Sequence, residues 1–82
     1  MIATGVMHAA EELKISIPEQ LKVVGLDNIY FSQHLRPPLT TVEQPAYDMG
    51  HEAAQMLINN ILYGTPLSTK ELPYRLIMRG TV

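Results

Sequence analysis

From Ile2 the apolar residues Val6, Ala9, Ala10 and Leu13 recur every three or four positions, with His8, Glu11 and Glu12 between them. That is the period of a helix buried along one side, and it predicts a helix over about Met1 to Lys14. Pro18 disfavours helical geometry in the residue before it, so the helix cannot run past Ile17. Ser16 and Glu19 have the spacing of a capping box and Pro18 suits a first helical turn, which together predict one short turn over Pro18 to Leu21. Val23 to Leu26 is a short continuous apolar run with β-branched residues, the pattern of a parallel strand covered on both faces. Asp27 and Asn28 stop it. A polar connection through Tyr30, Gln33, His34 and Arg36 ends at Pro37 and Pro38, and Leu39 to Glu43 then reads as a second strand built on Thr40, Thr41 and Val42. Gln44 and Pro45 close it.

The second helix is predicted over about Ala46 to Tyr63, where Gly50, Ala53, Ala54, Leu57 and Ile61 form one stripe widened by Met49, Met56 and Ile58. Gly50 is the place for a close neighbour. Gly64 stands where a left-handed cap is needed, and Pro66 stops any continuation. From Leu72 the period changes to two, with Leu72, Tyr74, Leu76 and Met78 alternating against Pro73, Arg75, Ile77 and Arg79. Pro73 places this strand at an edge. The order helix, strand, strand, helix, strand gives a layered α/β fold without internal repeats. A buried-type strand at Val23 to Leu26 also calls for parallel neighbours that the chain before Met1 would have to supply, so the fold is expected to be partial.

The 82 residues, 46% hydrophobic and 17% charged, allow one domain or part of one and exclude a disordered tail. Six Lys and Arg against eight Asp and Glu give a formal charge of −2, which leaves no cationic surplus for nucleic acid. With no cysteine there are no disulfides, thiolate zinc sites or thiol nucleophiles, and the composition fits a reducing cytoplasm. No apolar run approaches the ~20 residues that cross a bilayer, so no membrane association is expected.

In open α/β sheets ligands bind beyond the carboxyl ends of strands, and Asp27 occupies such an end. A carboxylate there accepts strong charge-assisted hydrogen bonds from neighbouring hydroxyls, as a sugar or polyol would offer. The competing reading is an Asx turn of Asp27 and Asn28 that merely ends the strand. Gln44 closes the second strand in the corresponding position, either as an amide contact to the same ligand or as a surface glutamine. His8, His34 and His51 share no metal-binding spacing, so no metal is expected. Ser32, His34 and Asp27 supply the residue types of a hydrolytic triad without a nucleophile elbow, and no glycine-rich phosphate loop exists; neither catalysis nor a cofactor is expected. Ile29, Tyr30, Phe31 and Leu35 put apolar surface into the connection, with Met1 and Met7 on the first helix. These residues either anchor the loop to its own core or form a subunit contact.

The segments Ile17-Pro18-Glu19, Val23-Val24-Gly25-Leu26-Asp27-Asn28, Arg36-Pro37-Pro38-Leu39-Thr40-Thr41-Val42, Gln44-Pro45, Met49-Gly50 and Leu76-Ile77-Met78-Arg79 together resemble the C-terminal end of a LacI/GalR-family transcriptional regulator, over essentially the whole chain. The stretch from Arg36 to Gly50 is especially similar to the catabolite control and ribose repressor branches. The resemblance implies the last part of the C-terminal lobe of a periplasmic-binding-protein-like effector domain, with the DNA-binding domain, the first lobe and an effector-binding Asn-Asp pair lying before Met1. It implies that Asp27 contacts effector, that Gln44 contacts sugar, and that Thr4, Met7, His34 and Leu35 lie at a homodimer interface. The implied protein is a cytoplasmic, sugar-sensing repressor that reads operator DNA elsewhere in its chain; an extracytoplasmic sugar-binding protein of a transport system is the alternative. Two positions depart from the family. Lys14 stands where many relatives have a helix-ending glycine, which predicts a less regular cap. Gln55 stands where the catabolite control branch carries an arginine for a phosphorylated carrier protein, so the resemblance does not extend to that partner.

Overall fold

The computed structural model describes residues 2–82. The elements are helix α1 (Ile2–Glu12), strand β1 (Val24–Leu26), a 3-10 turn (Tyr30–His34), strand β2 (Thr40–Glu43), helix α2 (Ala46–Tyr63) and strand β3 (Arg75–Ile77). The chain divides into two compact units, one of Met1–Gln44 with Arg75–Val82 and one of Pro45–Tyr74.

The first unit carries a three-stranded sheet in the order β1-β2-β3. β1 and β2 are parallel, with Val24 opposite Thr40 and Leu26 opposite Val42. β3 returns antiparallel, with Ile77 opposite Thr41 and Arg75 opposite Glu43. The parallel pair and the edge position of β3 follow the sequence pattern. The covering of β1 on both faces does not. Val24 and Leu26 are 54% and 55% exposed, because among the described residues only one side of the strand is built over. The core beneath that side is small: Ala3, Val23 and Leu39 are buried, and Met7, Ile17 and Leu35 pack against them. Gly25 permits this closeness. A Cβ at that position would stand 2.7 Å from the Leu39 side chain and 3.7 Å from that of Ala3.

α1 ends in a paired C-terminal cap, with Lys14 N–H bonded to the Glu11 carbonyl (3.1 Å) and Ile15 N–H to that of Ala10 (2.8 Å). Lys14 takes the glycine conformation itself, at φ 58°, so the cap is regular where the sequence predicts irregularity. A left-handed backbone costs a residue with a Cβ about 1–2 kcal/mol, and two hydrogen bonds offset it. The next turn forms as expected, but its capping partner is Gln20, whose Oε1 accepts both the Ser16 amide (2.9 Å) and hydroxyl (3.1 Å), rather than Glu19.

In the second unit α2 runs over the predicted residues and stops at Gly64, whose φ of 68° and bonds to the Asn59 and Asn60 carbonyls are those of the left-handed cap. Beyond its own helix backbone, a Cβ at Gly50 would meet nothing within 4 Å among the described residues, so the close neighbour expected there is not found among them. Lys70 pairs with Glu52 (2.8 Å) in the same unit, and this pair holds the Glu52 carboxyl below its ordinary value.

Candidate functional site at the strand ends

The parallel register of β1 and β2 brings the ends of both strands to one end of the sheet, and so brings Asp27 and Gln44 there together. Asp27 continues the ladder by one bond, its N–H reaching the Val42 carbonyl at 2.8 Å. Its backbone then turns to φ 79°, followed by Asn28 at φ 45°. The Asp27 carboxylate is exposed and has no hydrogen-bond or ion-pair partner among the described residues. It stands at the rim of an open, mostly apolar depression formed by Ile2, Ala3 and Val6 of α1 and Val24 and Leu26 of β1. Gln44 is half-buried, and its amide is likewise without a partner among the described residues.

Of the two residues in the Asx-turn alternative, Asn28 holds the turn, while the Asp27 side chain makes no bond to it among the described residues. Asn28 N–H bonds the Thr41 hydroxyl oxygen (3.1 Å), and its side-chain amide donates to Glu43 Oε2. Its Oδ1 accepts from the Ser32 hydroxyl (3.3 Å) and from Arg79 Nη2 (2.9 Å). Arg79 Nη1 in turn reaches Ser32 Oγ (3.1 Å) and the Leu39 carbonyl (2.9 Å). Arg75 places Nε and Nη2 on Glu43 Oε1 at 3.2 and 3.0 Å. The amide of Asn28, and then the Arg75 guanidinium, hold the Glu43 carboxyl below its ordinary value of 4.5. The sequence reading missed this cluster, although Arg75 and Arg79 share one face in its strand alternation with Ile77 between them.

Ser32 is buried, with its hydroxyl also donating to the Ile29 carbonyl (2.7 Å). His34 is exposed against the Tyr30 ring, 4.8 Å between centroids, and makes no bond to Ser32. The residue types of the triad are therefore present without its geometry. No group of three His, Cys, Asp or Glu side chains able to hold a metal occurs among the described residues. No described helix is long and apolar enough to cross a membrane.

Of the four residues implied at a subunit contact, Thr4, Met7 and Leu35 come together along one groove, with His8, Glu11 and Arg36 beside them. His34 does not line it. Leu35 and Met7 also touch the small core, so loop anchoring and groove lining fall to the same side chains.

Residues 1–82 match the periplasmic binding protein-like domain family throughout. The chain belongs to that family. It is 42% identical to the ribose operon repressor of Halalkalibacterium halodurans, over 99% of this chain and 25% of that protein. It is 37% identical to catabolite control protein A of Priestia megaterium, over 95% of this chain and 24% of that protein. Among solved structures, the LacI family transcriptional regulator from Enterococcus faecalis with bound ribose superposes with a TM-score of 0.87 at 32% identity, covering 98% of this chain and 30% of that one. The family's α/β fold and the similarity to the ribose repressor and catabolite control branches are thus those the sequence segments imply. The chain spans about a quarter of the length of these curated relatives.

Proposed function

We propose that this chain serves as the C-terminal part of the effector-binding and dimerisation domain of a DNA-binding transcriptional regulator, with a sugar or related metabolite as effector. The observation that carries the reading is the Asp27 carboxylate, held at the shared carboxyl end of two parallel strands with no partner among the described residues. A carboxylate in that place can accept paired hydrogen bonds from ligand hydroxyls, and Gln44 adds a donor and an acceptor from the neighbouring strand end. The similarity to a ribose repressor and to a ribose-bound regulator supports a sugar and makes D-ribose the first ligand to try. The same similarity favours a cytoplasmic regulator over a transport protein, since curated relatives are named a ribose operon repressor and an HTH-type transcriptional regulator.

In this reading effector binds between two lobes and shifts the population of lobe arrangements, and the shift reaches operator DNA through the homodimer. DNA contact belongs to a separate domain, in keeping with the −2 charge of this chain. The reading assigns the chain no catalysis. The groove of Thr4, Met7 and Leu35 supports a subunit contact on the α1 side.

Calorimetric titration of the full-length regulator with D-ribose tests the site. One charge-assisted hydrogen bond contributes about 1.5–3 kcal/mol, so Asp27→Ala should weaken binding roughly ten- to hundredfold while Tm stays near that of the parent. An unchanged affinity in the variant would end the assignment of Asp27.

A further inference from the structure

Asp27 is bracketed by backbone hydrogen bonds, its own N–H to the Val42 carbonyl and the next N–H to Thr41 Oγ1. The peptide between Asp27 and Asn28 therefore cannot rotate without breaking one of them. What fixes the second bracket is the Asn28 side chain. Its amide is oriented because the oxygen faces the Arg79 Nη2 donor and the nitrogen faces a carboxylate, Glu43, while the single Ser32 hydroxyl hydrogen is shared between Asn28 Oδ1 and the nearer Ile29 carbonyl. Arg79 spans the other side with its second nitrogen on Ser32 Oγ and the Leu39 carbonyl. The 3-10 turn, the start and end of β2 and the residues after β3 thus converge on the one residue that follows Asp27.

Conformational freedom alone does not explain Asn28. At φ 45° a glycine would meet the backbone requirement with less strain, yet it would lose all three side-chain bonds. Because the Asn28 amide is committed to Thr41 and its side chain to the network, neither is offered to the Asp27 carboxylate. The carboxylate is left exposed, with no partner on its acceptor sites among the described residues.

We propose that Asn28 and Arg79 are positioning residues for effector recognition, clamping the strand-end turn so that the Asp27 carboxylate is presented to ligand hydroxyls in advance of binding. The inference rests on the reading of Asp27 as the effector contact. Holding the group in its bound geometry before the ligand arrives removes an ordering cost from association.

Two measurements on the full-length protein test it. The first needs no ligand: in Asn28→Gly, hydrogen exchange at the Asp27 amide should quicken by at least roughly tenfold while amides of α1 and β2 keep their protection. Unaltered protection at Asp27 would overturn the clamp. The second is a double-mutant cycle with D-ribose. Asn28→Gly and Arg79→Lys, which keeps the charge but loses the planar fork, should each weaken binding by roughly fivefold or more. In an Asp27→Ala background the same changes should cost nothing further. An equal loss in that background would show that Asn28 and Arg79 only support the fold, and overturn the proposal. If Asp27→Ala itself leaves affinity intact while Asn28→Gly quickens exchange, the effector reading fails and the clamp stands as a structural fact. Arg79→Lys serves alone if Asn28→Gly does not fold.

Discussion

Thr81 donates its hydroxyl hydrogen to the Val23 carbonyl at 2.6 Å and accepts the Thr40 amide at 2.9 Å, all in full burial. Its own carbonyl takes the Val23 N–H at 3.0 Å. Replacing it with valine keeps the shape and leaves a donor and an acceptor unpaired inside the protein, which costs about 1–3 kcal/mol. Thr81→Val should therefore lower the urea midpoint without changing the slope, and an unaltered midpoint would show that water satisfies both groups. Glu43 makes the complementary prediction in acid. Its carboxyl is depressed in the folded protein by Asn28 and then Arg75, so its contribution is present above the ordinary value of 4.5 and is lost as pH falls through the lower folded value. Tm should fall on acidification below about pH 4.5, and Glu43→Gln should flatten that part of the profile. Neither Thr81 nor Glu43 carries a signal in the sequence, since their partners lie 58 residues and 32 residues away along the chain. The strand-end position of Asp27 was legible because a residue that ends a strand marks its own place.

Elements whose determinants are local came through the sequence intact. α2 begins after Pro45 and ends at Gly64 as its flanking residues dictate, since proline, stripe and left-handed glycine act within one helix. Strands were harder. β3 was expected from Leu72 but pairs only from Arg75, because its length is set by where β2 ends at Glu43. The run after Asn28 reads as a polar connection, yet Tyr30–His34 makes a 3-10 turn so that Ser32 can reach inward. The union of α1 with β1 rests on a residue with no side chain. At Gly25 an added methyl would stand 2.7 Å from the fully buried Leu39 side chain, which would have to shift. Gly25→Ala should destabilise by about 1–3 kcal/mol as overpacking does, read as a drop in Tm. If stability rises instead, the α1 layer is looser than its buried alanines indicate.

At the scale of the molecule, the sheet leaves Val24, Leu26 and Leu76 more than half exposed, and α1 shares a groove with the Leu35 to Pro37 segment. Such surfaces are typical of chains that meet others. The proposed homodimer predicts that, in the full-length protein, Arg36→Asp and Met7→Asp each shift the sedimenting species toward monomer. Arg36 is the cleaner probe, because it is exposed and, among the described residues, its guanidinium bonds only the adjacent Leu35 carbonyl. A dimer mass retained by both variants would count against this face.

The clasp made by Thr81 has a kinetic corollary. During synthesis the two parallel strands leave the ribosome before Thr81 does, with Val23 and Thr40 both exposing backbone groups that it has yet to seal. Those groups find their partner only when the chain has lengthened by another 41 residues beyond Thr40. Closure of this part of the sheet is thus deferred until Thr81 itself has been synthesised.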